Sequence, residues 1–542
     1  MWILGIIMTV FGLTIKAIQL TFRLGITLHE RKMLIPFLIL FSGLMGAYFI
    51  ISNNPDNIPL IILAAAIAIV AYVIMFTVVD RQKKKDNPDY KRKRNKKPNS
   101  DKPSMQSYTR HGIVFGKVKD KYICKPETTD GHALIVGFAG SGKSSCLAIP
   151  TLQKWGSTAF VIDIKGELLK HSELYRTNIK VFNPTVETSY GYDPFYCLRK
   201  SSNPAQEARA IAQAIIPLPI DVREPFWIES AQAILCGVFL HCNNRGLSFL
   251  RTIQHTLNTP PKHLVQALSQ SPVDEVRYCV SSLVGMDEKT LAGIMGEVSR
   301  NILPFVTDKD LISALSREKN ITPEDLEYGR DVYIQIPEHL VNQWRSLLTL
   351  IVNQFLRCME QRNEENAKTI LFLLDEFPRL GKITATLDGL ATLRSKKVTI
   401  CLIVQSLAQL DVIYGEKERK VIADNCTYKA VLGAGDYDTQ KYFSGLAGKY
   451  EKKVKSNTRN KDFMGLIGGT AETTHQQEKD YIKSQEFSNL EDIILFCPNA
   501  CEVEKSADKN IPFCRVEKAP YYEEVEHKLK VIKTREMTDR IE

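Results

Sequence analysis

The sequence predicts an α/β fold in which a mostly parallel sheet, covered by helices on both faces, carries a phosphate-binding loop. Three observations predict it. A full G-x4-G-K-S motif stands at residues 137–144, between a short apolar run and a helical stretch. Six further short, mostly apolar and β-branched runs recur at 158–164, 178–182, 332–336, 369–374, 398–404 and 429–432, with helix-length segments between them. One of these, 369–374, ends in adjacent carboxylates, Asp375 and Glu376.

The chain has 542 residues, enough for several domains, and 44% of them are hydrophobic. Its twelve cysteines are scattered and never fall in a C-x-x-C pair, which argues for free thiols in a reducing compartment. The net charge of +10 is concentrated. Residues 80–102 hold eleven Lys/Arg against four Asp, so the chain after them is close to neutral. Bulk charge therefore gives the body no general affinity for nucleic acid, and such a surface has to be local.

Two uncharged apolar runs lie near the N-terminus, at 33–51 and 58–79, each long enough to cross a hydrocarbon core of about 30 Å. The polar turn between them carries no Lys or Arg, whereas Arg23, Arg31 and Lys32 precede the pair and the basic run follows it. This predicts a transmembrane helical hairpin with both ends cytoplasmic. Residues 2–28, broken by Lys16, Gln19 and Arg23, read as an interfacial helix or a weaker span. The basic run reads as a stop-transfer flank and linker, with anionic lipid headgroups or nucleic acid as alternative contacts.

In the loop motif, Gly137, Gly140 and Gly142 let backbone N–H groups curl around phosphates, together with Ser141 and Ser145. Lys143 is placed to reach the β- and γ-phosphates of ATP, and the Ser144 hydroxyl to ligate Mg²⁺. Asp375 at the strand end suits the metal, and Glu376 suits the attacking water. Gln405 follows the run VTICLIV at the end of another strand, where an amide can bond a γ-phosphate or its water, or simply be satisfied in the core.

Between about 195 and 325 the strand signal fades, and stretches opening near Pro or Asp at 204–216, 225–241, 247–257, 261–270 and 287–302 read as successive helices. Trp227 is expected in their core. The polar stretch 449–480 reads as a mobile loop between core strands, and the segment after Pro520 as a short tail of mixed charge.

Taken together, HALIVGFAGSGKSS, VIDIKGELL, LFLLDEFPRLGKI, LIVQSLAQL and IADNCTYKAVLGAGDYDTQKYFSGLAG resemble the TraG/TraD-type coupling-protein ATPases of conjugation and type IV secretion, in order and in spacing. The resemblance implies a RecA-like P-loop nucleotide-binding domain, 107–194 and 326–542, split by an inserted all-α domain, 195–325. The membrane region would comprise 1–32 and the hairpin 33–79, joined to the body by the linker 80–106. It implies a homo-hexamer around a pore, with ATP between subunits and an arginine supplied by the neighbour. Arg394 matches that position, and Arg379 competes for it. The Asp163-Ile-Lys165-Gly-Glu167 motif matches too, with a structural or phosphate-side role.

The implied protein is an ATPase of a bacterial inner membrane. It would move single-stranded DNA with its bound relaxase and relaxosome proteins into a type IV secretion channel. Alternatives are a coupling ATPase for protein effectors, an FtsK-like double-stranded DNA pump, which normally carries a C-terminal DNA-reading winged-helix module that the stretch after residue 500 is expected to be too short to form, and a non-pumping docking platform.

Overall fold

The structure, a computed structural model, describes residues 111–532 apart from 120, 221, 366, 462–466, 499, 501–510, 525–527 and 530. The expected helix at 1–32, hairpin at 33–79 and linker at 80–106 lie outside the described residues. Among the described residues no helix is long and apolar enough to cross a membrane.

An antiparallel hairpin, β1 (Gly112–Val118) and β2 (Lys121–Pro126), opens the fold. There follow β3 (Ala133–Val136), β4 (Thr158–Ile162), β5 (Ile179–Phe182), the two-residue strands β6 (Gly191–Tyr192) and β7 (Asn320–Ile321), and then β8 (Asp331–Ile334), β9 (Ile370–Leu374), β10 (Val398–Val404) and β11 (Tyr428–Val431). The last four are β12 (Lys449–Lys461), β13 (Ile467–Asp480), β14 (Ile493–Phe496) and β15 (Phe513–Val516). Nine of these form one sheet in the order β15-β14-β11-β3-β10-β9-β4-β8-β5. From β11 to β5 every neighbour is parallel, whereas β14 and β15 add an antiparallel edge. The result is a mixed α/β sheet, and the six expected runs all lie within it, with ends shifted by one or two residues.

The central strands are apolar at every position because both faces are covered. Alternate residues divide between two cores. Val136, Phe160, Phe372, Leu374, Ile400 and Leu402 enter one, and Ile135, Val161, Leu371, Leu373, Cys401 and Ile403 enter the other. The second core is closed by helix α1 (Ile149–Lys154) and by Leu168 of α2 (Glu167–Ser172).

The chain between β6 and β7 is helical: α3 (Tyr196–Lys200), α4 (Pro204–Ile215), α5 (Phe226–Asn244), α6 (Phe249–Asn258), α7 (Pro261–Ser269), α8 (Asp274–Val280), α9 (Glu288–Ile302), α10 (Pro304–Thr307) and α11 (Lys309–Ser316). β6 and β7 pair in parallel, so this excursion leaves and returns at one stem. Its helix starts are set by local chemistry. The Asn203, Ser248 and Asp287 side chains accept from the N–H groups of Gln206, Arg251 and Thr290, and each such cap contributes about 1 kcal/mol. Trp227 does not enter the core as expected. It is 37% exposed at the first turn of α5, with its indole N–H on Glu224. The amphipathic stripe of α5 begins at Ser230 and Ala231, one turn later.

The first core is covered by α13 (Arg345–Glu360), α14 (Thr384–Thr392) and α15 (Leu407–Asn425), with α12 (Pro323–Glu327) leading into β8 and α16 (Tyr437–Ala447) preceding β12. At the amino edge of the sheet, Arg176 clamps the layers together. It pairs with Asp331 at 2.6 Å and donates to the carbonyls of Leu152 and Ser157. The expected loop at 449–480 is instead a long hairpin, β12 against β13. Its sequence has no hydrophobic period to announce it, and its two strands form a sheet of their own.

Candidate nucleotide site

The carboxyl ends of four strands converge on the loop motif. β3 runs straight into it, and the Gly137 N–H donates to the Val404 carbonyl at the end of neighbouring β10 at 3.2 Å. Gly140 and Gly142 take φ of 79° and 100°, which side-chain-bearing residues rarely adopt. A Cβ on Gly137 would collide with the Ser141 hydroxyl. Helix formation begins with a π-helical turn, Lys143–Ala148, before α1. The first N–H groups of any helix have no partner within it, so a helix start at the end of a glycine loop is a ready anion site.

The Lys143 ammonium folds back to donate to the Gly137 carbonyl at 2.7 Å and the Phe138 carbonyl at 3.2 Å. Burial lowers its pKa, and the negative Glu376 and Asp375 oppose that shift. Ser141 is 6% exposed, and its hydroxyl has no hydrogen-bond partner. A buried unsatisfied hydroxyl is costly unless a ligand completes it. Ser144 and Ser145 are half-buried beside it.

Asp375 follows β9, which lies next to β10, so the acidic pair stands beside Gln405 at the strand ends. Burial, and then the charge of Glu376, push the Asp375 carboxyl up to about 7, a shift that the Glu376 N–H and Lys143 oppose. Such a carboxyl is poised to lose its proton to a cation. Glu376 sits at φ 51°, strain of about 1–3 kcal/mol. Its N–H is held by Asp375 Oδ1 at 3.0 Å, and its carboxylate accepts from Gln405 Nε2 at 2.9 and 3.2 Å. Gln405 is therefore tied to the carboxylate of the pair. Glu376→Gln is expected to lower kcat by about 10²-fold with nucleotide affinity retained. A loss of affinity equal to the loss in rate would show that Glu376 binds and does not activate.

Asp163 ends β4, on the other side of β9. Its carboxylate accepts from the N–H groups of Leu168 and Leu169 and from Gln335 Nε2, so it caps the start of α2. Burial raises its pKa, and these bonds oppose the rise. The structure does not bring Arg394 to this cluster. It lies exposed after α14, before the first residue of β10, at the opposite edge of the sheet. There it lines a hollow of about 720 Å³ with Asp130, Arg176 and Thr399. Arg379 is engaged by Glu338, at 2.7 Å to the carboxylate and 3.1 Å to the carbonyl.

Sequence reasoning missed one segment. After β15 the chain returns to the π-helical turn, where the Ala519 backbone, Lys518 and Glu523 all act on the Cys146 thiol, and the Tyr521 ring lies 4.6 Å from that of His171. Lys117 and Tyr122 of the first hairpin hold Glu524. The apolar run at 493–496 was the available signal for the antiparallel edge that carries this return.

The sequence profile of the type IV secretory system conjugative DNA transfer family matches residues 82–541. This chain belongs to that family. Among its relatives, this chain is 24% identical over 378 residues to protein VirD4 of Rhizobium radiobacter, covering 66% of this chain and 55% of that one. It is 22% identical over 418 residues to the conjugal transfer protein TraG of Escherichia coli, covering 70% and 65%. The chain thus spans about half the length of the VirD4 relatives that it matches. The bacterial conjugative coupling protein TrwB, as TrwBdeltaN70, shares its fold with a TM-score of 0.60 at 18% identity, over 77% of this chain and 90% of that chain. TrwB has also been solved with a non-hydrolysable ATP analogue (TM-score 0.59) and with ADP and Mg²⁺ (TM-score 0.56).

Proposed function

We propose that the protein is a membrane-anchored ATPase that recruits and moves single-stranded DNA, with its bound relaxase, into a conjugative type IV secretion channel. The observation that carries the nucleotide chemistry is the convergence of the Lys143 loop, Gln405 and the Asp375-Glu376 pair on three adjacent strand ends. The partnerless Ser141 hydroxyl, the positive-φ glycines and the raised Asp375 carboxyl fit a phosphate chain and a hard cation. Ser144 and Asp375 would hold Mg²⁺, and Gly137, Gly140, Ser141, Gly142 and Ser145 would cradle the phosphates of ATP. The bound metal neutralises charge on the phosphoryl oxygens.

The remaining steps belong to the chain. Lys143 leaves its two carbonyls for the phosphates, and Glu376 orients the attacking water. Gln405, anchored on Glu376, passes a change there to α15, which begins two residues later. Arg394 lies at the opposite edge of the sheet, so it reaches a nucleotide only in a neighbouring subunit. This reading therefore includes a homo-hexameric ring with Arg394 acting in trans.

The same reading assigns 107–194 and 326–542 to the nucleotide domain and 195–325 to an all-α domain reached through the β6–β7 stem. Residues 33–79 are the inner-membrane hairpin, with both ends cytoplasmic. The test is the ATPase rate of the full-length chain with single-stranded DNA, double-stranded DNA or no polymer, across protein concentration. Cooperative stimulation by single strands supports a DNA motor. Indifference to all nucleic acid overturns the DNA assignment and leaves a protein-effector ATPase or docking platform.

A further inference from the structure

Helix α13 touches both the segment after the acidic pair and the base of the all-α excursion. Its first half holds the chain that follows Asp375 and Glu376. The Thr349 hydroxyl donates to the Leu380 carbonyl at 2.7 Å, and Asn353 Oδ1 accepts from the Ala385 N–H at 3.0 Å. Its last turns hold the stem from which the excursion leaves. Gln354 accepts from the Tyr192 hydroxyl and donates to the Pro194 carbonyl at 2.8 Å, and Arg357 pairs with Glu207 of α4 at 3.2 Å. Cys358 follows Gln354 by one helical turn, on the same face. Its Sγ stands 3.4 Å from that of Cys197 in α3, a residue 161 positions away in the chain. One helix therefore links the two regions, and its grip on the stem includes a contact between two thiols.

The pair is placed to react. Both cysteines line a cavity of about 480 Å³ with Tyr196, Glu324, Met359 and Arg362. Cys197 is buried and Cys358 half-buried. The hydrogen bond with Cys358, and then burial, raise the pKa of the Cys197 thiol. Cys358 is therefore the sulfur that meets a reagent in the cavity, and Cys197 the one that follows. Two sulfurs already in contact need only a small side-chain rotation to reach bonding distance. A second thiol pair, Cys236 of α5 and Cys279 of α8, shares a hydrogen bond within the all-α excursion. Closing that pair would tie the excursion only to itself.

We infer that Cys197 and Cys358 form a redox latch: oxidation joins them, fixes the base of the all-α domain to α13 and slows ATP hydrolysis. The oxidant is a hydroperoxide, with hydrogen peroxide as its simplest member. The Cys358 sulfur attacks a peroxide oxygen, so that an S–O bond forms, the O–O bond breaks, and water leaves a sulfenic acid behind. The Cys197 sulfur then attacks Cys358. The S–S bond forms, the S–O bond breaks, and a second water departs with the last thiol proton. The two thiols lose two electrons and the peroxide gains them. In a reducing compartment the pair rests as thiols and the joint is free to move. The bland alternative is packing, since free cysteines fill cores without reacting. Packing predicts neither linkage nor a change in rate. The effect on rate rests on the ATP hydrolysis proposed above, whereas the linkage does not.

The full-length chain, purified reduced, is treated with hydrogen peroxide, alkylated, and mapped by mass spectrometry without reduction. A peptide linked through Cys197 and Cys358 is expected, and dithiothreitol should abolish it. Steady-state phosphate release should fall at least about fivefold on oxidation and return with dithiothreitol. Affinity for a non-hydrolysable ATP analogue, an index of folding, should not change. Amides of residues 195–207 should exchange at least about tenfold more slowly in the oxidised chain. Cys197→Ser and Cys358→Ser should each keep the reduced rate and resist peroxide. Should the buried Cys197→Ser fail to fold, the half-buried Cys358→Ser carries the same comparison. Absence of the linked peptide overturns the latch, and so does a linked peptide with an unchanged rate. Serine variants as sensitive to peroxide as wild type overturn it too, because another thiol, such as Cys146 in the phosphate loop, is then responsible. A reduced wild-type chain that releases no phosphate overturns the ATPase reading instead. The latch is then decided by linkage and exchange, and a linked peptide with unchanged exchange overturns it.

Discussion

Lys143→Ala is expected to bring nucleotide hydrolysis to background, a fall of at least about 10³-fold, measured as steady-state phosphate release. The reason lies in where the ammonium is held. It rests on the Gly137 and Phe138 carbonyls, inside the loop, with its charge partly desolvated. That is a preorganised cation, held by weak acceptors that phosphate oxygens outcompete. Alanine leaves the backbone cradle intact, so some affinity for nucleotide is retained while the charge that stabilises the transferred group is lost. Undiminished hydrolysis by this variant would remove the loop assignment. The same variant tests the ring. Arg394 stands at the far edge of the sheet from Lys143, so subunits carrying Arg394→Ala and subunits carrying Lys143→Ala should each be inactive alone. Mixed in one ring, they should recover part of the activity, because some interfaces pair an intact Lys143 with an intact Arg394. Confirmed mixed rings with no recovery would refute action in trans.

The sheet was legible because burial on both faces writes itself into consecutive residues. ILFLL and VTICLIV leave no alternative to a covered strand, and the register then places Asp375 and Gln405 side by side. The loop motif was legible because it is local: its residues are neighbours in sequence and in space. What was not legible depends on partners remote in sequence. The Asp163 carboxylate turned out to be a helix cap because Gln335 and the N–H groups of α2 converge on it. The return of Lys518–Glu523 to the phosphate loop is set by the antiparallel pairing of β14 with β15, a long-range choice that four apolar residues cannot specify. The β12–β13 ribbon escaped because strand reading looks for an apolar alternation and the sequence from 449 to 480 carries none. Trp227 was misplaced by assuming that a large aromatic at the start of an apolar helix turns inward.

Lys125→Met is expected to stabilise the nucleotide-free protein by about 3 kcal/mol at pH 7, read from urea unfolding. Lys125 of β2 is 0% exposed, and its ammonium donates to the Thr399 hydroxyl at 3.1 Å and, at 3.4 Å, to the Pro126 carbonyl. Burial lowers its pKa to about 8, although Asp130 and Glu127 pull the other way. The unfolded chain holds this proton up to the ordinary 10.5. Between about 8 and 10.5 the unfolded state therefore binds more protons than the folded one, so stability rises with pH across that window. Below about pH 8 both states are charged, and the full cost of burying the ammonium, about two and a half pKa units, is present. Above 10.5 both are neutral and the cost has gone. Methionine keeps the length and volume of the stem without the charge, so the gap between variant and wild type should be widest at pH 7 and close as pH approaches 10.5. A variant less stable than wild type at pH 7 would mean that the Thr399 bond and the two carboxylates outweigh desolvation. A gap that does not change with pH would mean that the gain comes from packing and not from the buried charge.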